Sequence, residues 1–216
     1  MGLFGSSGPK MSVTYPSEHE PCLELILPPG TSLLAAPETM VFMNQGVTMA
    51  VAANLNLGMP LVTFTNSGPT KAGIRLCSPY CGRIPWLSPE AYGGKITVMR
   101  KAFMCAGAGV TMAVENLIVP GDLQELSAIR AEGDDDVYLQ SCGMYEDLKL
   151  ENGQILTMDA TRLMAWSSQM TCEFIQLPGI RASHQAGGDM LTAVLRGPGR
   201  IWLQNRPYPP WAPASD

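Results

Sequence analysis

The sequence predicts an all-β protein made of three tandem copies of one short unit. Three observations carry this. The hexamer Gly46-Val47-Thr48-Met49-Ala50-Val51 recurs unchanged as Gly109-Val110-Thr111-Met112-Ala113-Val114, 63 residues on. Self-similarity at a fixed period marks a repeat architecture. Apolar residues in and around the hexamers alternate with period two, the pattern of a half-buried strand. The chain also carries 22 Gly and 18 Pro in 216 residues, which favours short strands divided by turns over long helices.

A third, more diverged copy lies 60 residues beyond the second. There Met170-Thr171-Cys172-Glu173-Phe174 takes the place of the hexamer's strand. Before it, Met40-Val41-Phe42-Met43 aligns with Phe103-Met104-Cys105-Ala106 and Leu163-Met164-Ala165-Trp166. The triplets 44–46, 107–109 and 167–169 fall together and are turn-like. Each pair of runs is therefore expected to form a β-hairpin, with the alternating Val and Met side chains filling a core.

The offsets hold further out. Gly30, Gly93 and Gly153 align, with Leu33, Ile96 and Leu156 behind them. Leu25 and Leu27 sit over Leu148 and Leu150, whereas the second copy has Ser88 and Glu90, so its opening strand is expected to differ. A closing strand recurs as Ile74-Arg75-Leu76-Cys77, Val137-Tyr138-Leu139-Gln140 and Ile201-Trp202-Leu203-Gln204. The predicted organisation is a lead-in over 1–19, units over 20–82, 83–142 and 143–206, and a Pro-rich tail over 207–216 that reads as extended polyproline. Variable connectors occupy 52–68, 115–136 and 175–199. Insertions in repeat proteins collect on one face, often the binding face.

Composition bounds the function. Hydrophobic residues are 46% and charged residues 15%, a globular balance. The net charge of −5 opposes nucleic-acid binding, which needs a basic surface. No apolar run reaches the roughly 18 residues of a membrane-spanning helix, and residues 1–10 do not read as a signal peptide. No Arg precedes Arg75, which opposes a mitochondrial transit peptide. A cytoplasmic location is expected. Met1-Gly2-x-x-x-Ser6 fits the minimal myristoylation pattern, and membrane association is expected only if Gly2 is acylated. With no secretory signal, the six cysteines are expected to be reduced.

No catalytic constellation emerges, and no cofactor is expected. His19 and His184 lie in no zinc spacing or nucleophile motif, and Ser183-His184 near Asp189 reads as an unspecialised loop. Asp134, Asp135 and Asp136 are weak candidates for a hard cation and read first as a solvated acidic turn. Arg75, Tyr138 and Trp202 occupy one equivalent position. They are interface candidates, because Arg, Tyr and Trp are enriched at interfaces. Tyr208 and Trp211 are further candidates, able to pack the tail onto the body or onto a neighbour.

Several segments resemble the altered-inheritance-of-mitochondria protein 24 family. They are Leu27-Pro28-Pro29-Gly30-Thr31 followed by residues 37–43, Arg100-Lys101-Ala102-Phe103-Met104-Cys105-Ala106, and most specifically Leu195 through Pro207. The resemblance covers residues 20–207. It implies a fold like the tryptophan RNA-binding attenuator protein: three tandem small β-sandwich or short double-stranded β-helix units with pseudo-threefold similarity. It also makes a mitochondrial location the alternative.

A row of such units exposes sheet edges at both ends, and unpaired edges must be covered, blocked or closed. Head-to-tail pairing between chains closes a ring. The resemblance to ring-forming proteins points to a homotrimer, and closure within one chain is the competing geometry. The expected function is a non-enzymatic structural or interaction protein, with protein partners reached through the connectors. The alternative is a small-ligand or RNA-binding module using clefts between units.

Overall fold

The computed structural model describes residues 12–15, 21–52, 60–120, 127–181 and 189–208. Strand β1 (Ser12–Thr14) precedes the first unit. That unit contains β2 (Cys22–Leu27), β3 (Ser32–Ala35), β4 (Met40–Met43), β5 (Val47–Val51), β6 (Val62–Asn66) and β7 (Ala72–Cys77). The second contains β8 (Trp86–Leu87), β9 (Lys95–Met99), β10 (Phe103–Gly107), β11 (Val110–Glu115), β12 (Ala128–Gly133) and β13 (Val137–Leu139). The third contains β14 (Tyr145–Leu150), β15 (Ile155–Asp159), β16 (Leu163–Ser167), β17 (Thr171–Arg181), β18 (Asp189–Arg196) and β19 (Gly199–Gln204). The chain is all-β, and the six-strand order occurs three times.

Local chemistry explains the shared punctuation. Gly30, Gly93 and Gly153 adopt φ of 75°, 80° and 80°, a left-handed conformation that favours glycine. Each turn leads to a strand, then a one-turn 3-10 helix at Pro37–Thr39, Arg100–Ala102 or Ala160–Arg162. Side chains secure the first and third of these. Thr39 Oγ1 donates to the Ala36 carbonyl at 2.7 Å, and Asp159 Oδ1 accepts from Thr161 N–H at 2.9 Å.

Strand pairing departs from the hairpin expectation. β4 does not pair with β5. It pairs with β7, while β5 pairs with β6. Residues 44–46 carry the chain from one sheet to another, with Gly46 at φ 96°. Each connector also holds a strand of its own: β6, β12 or β18. The sequence reads these segments as connectors, although β6 alternates buried and half-buried residues as a strand with one buried face does.

The sheets run β1-β2-β7-β4, β5-β6-β3-β10-β13-β8, β11-β12-β9-β16-β19-β14 and β15-β18-β17. Each six-stranded sheet thus joins half of one unit to half of the next. The joints are β3–β10 and β9–β16, both antiparallel. One core cluster gathers Leu23, Leu25, Phe64, Ile74 and Met104, and a larger one gathers Ile96, Phe103, Met164, Leu195 and Trp202. The joint strands β10 and β16 are buried along their whole length.

Two further expectations change. The hexamer's strand does not fill a core in the first unit. Val47 is buried, but Met49 and Val51 are exposed, Val51 at 74%. The thiols are not all reduced either. Cys22 and Cys77 face each other in the β2–β7 register and form a disulfide with Cα atoms 4.0 Å apart. They are 55 residues apart in sequence, so only pairing of the unit's first and last strands reveals the bond.

The linkers between units pack closely. A Cβ on Gly82 would lie 1.8 Å from the Ser141 carbonyl oxygen. Ser141 Oγ accepts from Arg83 N–H at 2.8 Å. Gly82→Ala must therefore displace backbone and is expected to cost about 3 kcal/mol. Gly30→Ala meets nothing within 4 Å and should cost about 1 kcal/mol through its positive φ alone. Urea denaturation of the two variants checks the contrast, and equal losses would refute the packing account.

Candidate functional site: two open sheet edges

The repeat places complementary structures at the two ends of the chain. β4 is the first unit's counterpart of β10 and β16, and β15 is the third unit's counterpart of β3 and β9. β10 pairs with β3 and β16 with β9, yet β4 and β15 lack those partners and end their sheets. The chain does not close on itself through them, which corrects the one-chain geometry.

Exposure follows from the missing partners. β4 shows Val41, Phe42 and Met43 to solvent, Phe42 at 44%, where β10 and β16 are buried. On β15, Ile155 is 56% exposed, and Leu156 and Met158 are half-buried. β4 also carries the same register shift, between Met40 and Phe42, that β10 and β16 carry at Phe103/Cys105 and Leu163/Ala165. It is thus shaped like the joint strands.

Backbone direction fits as well. Asn44 N–H donates to the Gly73 carbonyl at 2.8 Å, so by antiparallel alternation Met43 turns its N–H and C=O to the free edge. Gly197 N–H donates to the Gln154 carbonyl at 3.0 Å, which leaves Ile155, Thr157 and Asp159 facing outward in the same way. The internal joints pair Ala106 with Leu34 and Trp166 with Thr97. Carried to the ends by the repeat offsets, that register sets Met43 opposite Thr157 and Phe42 opposite Met158.

The interface row is redistributed by the same logic. Tyr138 is buried in the cluster that includes the first unit's Leu23 and Phe64. Trp202 is 2% exposed and meets the second unit's Tyr92 edge-on, with centroids 5.0 Å apart. Both serve contacts between units inside the chain and are not exposed, contrary to a row offered to another chain. Arg75, their counterpart, is half-buried beside the open edge: it pairs with Phe42 in register and lies 3.8 Å from Glu24.

Tyr208 packs on its own chain. Its ring meets Tyr80 at 4.8 Å and its hydroxyl donates to the Gln140 carbonyl, and burial pushes its pKa well above the usual phenol range. Trp211, Gly2, His19 and His184 lie outside the described residues.

The acidic candidates Asp134, Asp135 and Asp136 lie in the turn between β12 and β13. Asp135 Oδ2 accepts from Gly109 N–H at 2.8 Å, tying the β12–β13 turn to the β10–β11 turn. Among the described residues, no three His, Cys, Asp or Glu side chains gather as a metal site. Thiol chemistry runs against nucleophile activation: burial raises the pKa of Cys105 and pushes Cys172 up to about 12, whereas a reactive thiol needs a lowered value.

Fold and edges together define an all-β protein of several antiparallel sheets. The chain belongs to the mitochondrial biogenesis AIM24 family, whose model matches residues 15–206. A crystal structure of protein SPYM3_0169 from Streptococcus pyogenes is similar, with 19% sequence identity, coverage of 92% of this chain and 94% of that chain, and a TM-score of 0.76. At that identity the likeness bears on the fold alone. No curated protein matches the chain significantly.

Proposed function

We propose that this protein is a non-enzymatic scaffold whose chains join head to tail, β4 of one copy adding to β15 of the next, and close into a ring. One observation carries the reading. The counterparts of both strands are paired along both edges inside the chain, while β4 and β15 each keep one edge without a partner and show apolar side chains to solvent. Pairing them would build a seven-stranded sheet, β17-β18-β15-β4-β7-β2-β1. Such a contact is heterologous, so copies either close cyclically or continue as a fibre. Closure as a trimer of nine units is the form the family resemblance implies.

The register supplies the test. Phe42 and Met158 are expected to form a non-hydrogen-bonded pair, the position at which opposed side chains come closest. Phe42→Cys combined with Met158→Cys is expected to yield disulfide-linked trimers on non-reducing gels, with neither single variant doing so. Sedimentation should give three chains, or a multiple of three, per particle for the unmodified protein. A single chain per particle at micromolar concentration, or a cross-link confined within one chain, would sink the ring.

A further inference from the structure

The ring contact uses one edge of the outer half-sheets and leaves another set of edges, at the opening strands of the three units. These three equivalent edges are treated differently. β2 is covered by β1, with Ser12 opposite Ile26, Val13 opposite Leu25 and Thr14 opposite Glu24. β8 is only two residues long and lies between Pro85 and Pro89, a length and flanking that blunt an edge against pairing. β14 is six residues long, has no proline and, among the described residues, ends its sheet uncovered. An open edge of this kind is a template for pairing with another chain.

The pattern along β14 is self-complementary. Asn205 N–H donates to the Met144 carbonyl at 2.9 Å. By alternation along the β14–β19 register, Glu146, Leu148 and Leu150 bond to β19 while Tyr145, Asp147 and Lys149 direct their backbone groups to the free edge. A second copy turned by a twofold axis perpendicular to the sheet, centred on Leu148, sets Asp147 opposite Lys149 twice. Both are exposed and lie on one side of the sheet. Leu148 then meets Leu148, much as Val13 meets the equivalent Leu25 in the β1–β2 pair. The present partners do not obstruct this: Asp147 bonds Arg200 at 2.7 Å and Lys149 bonds Glu151 at 2.7 Å, exposed pairs that exchange at little cost.

We infer that β14 is a second, twofold interface, through which two copies of this chain join edge to edge in antiparallel register with Asp147 facing Lys149. This contact is separate from the ring contact. Where rings form, it pairs ring with ring; where the ring contact is broken, it yields dimers.

Charge reversal and mixing test it. Asp147→Lys and Lys149→Asp each place like charges opposite one another, and each alone is expected to weaken the association at least about tenfold. An equimolar mixture of the two variants restores opposite charges at both positions and should recover the heavier species in sedimentation velocity. Rescue on mixing is a result that mere misfolding could not produce. The interface is overturned if either variant sediments like the unmodified protein, if the mixture stays as light as its components, or if the unmodified protein never exceeds one ring. Repeating the series with Met43→Pro should convert ring pairs to dimers, so failure of the ring and failure of this contact give different masses.

Discussion

Met43→Pro is expected to dissolve the proposed ring while leaving the chain folded. Met43 turns its N–H away from β7, whose neighbouring bond runs from Asn44 N–H to the Gly73 carbonyl. Proline at Met43 therefore removes a donor only from the free edge, where its ring also obstructs the incoming β15. Loss of the hydrogen bond and the obstruction together should cost about 2 kcal/mol per contact, roughly a 30-fold loss of affinity. A closed trimer has three such contacts, so about 6 kcal/mol is lost for the whole ring. Light scattering should show the shift in mass, and far-ultraviolet circular dichroism should stay that of an all-β protein. Unchanged mass with an intact spectrum would show that β4 is not the joint. The substitution Thr157→Pro tests the other half of the contact, since Thr157 faces the free edge of β15.

Loss of the Cys22–Cys77 disulfide is expected to destabilise the first unit by about 4 kcal/mol. The bond closes a segment with a sequence separation of 55 residues, and the loop-entropy estimate for that length sets this magnitude. At roughly 2–4 °C per kcal/mol for a chain of this size, Tm should fall by about 10 °C. Calorimetry with and without a phosphine reductant measures it, and Cys22→Val with Cys77→Val gives the same comparison without reductant. The other thiols provide a control. Cys105 is buried and unpaired in any disulfide, so a reductant leaves it unchanged. A Tm shift under about 1 °C would mean that the β2–β7 pairing alone holds these strands.

The turn glycines were fully legible in the sequence. Gly30, Gly93 and Gly153 aligned by offset, and all three adopt positive φ. That the second unit's opening strand differs was visible in Ser88 and Glu90; its shortness, two residues at Trp86–Leu87, came only from the structure. The candidate site was only half legible. The alignment that set Arg75, Tyr138 and Trp202 at one position is reproduced by their pairing with Phe42, Cys105 and Ala165. Their different burial was not legible, because it depends on whether another unit stands in front. The first unit supplies that cover to Tyr138 and the second to Trp202, and Arg75 stands at the end of the row.

The sequence by itself determined the all-β class, the period and the places where the chain must turn. These follow from local physics: side-chain alternation along a strand, and the backbone freedom of glycine. Tertiary structure decided which strands pair and which faces are covered. The apolar run Met40–Met43 and the alternation in Val47–Val51 mark two strands, but they say nothing about the partners. Pairing joins residues far apart in sequence, as in β2–β7 and β3–β10. Open edges at both ends were expected from the row of units, but which strands form them emerged only from the sheet order.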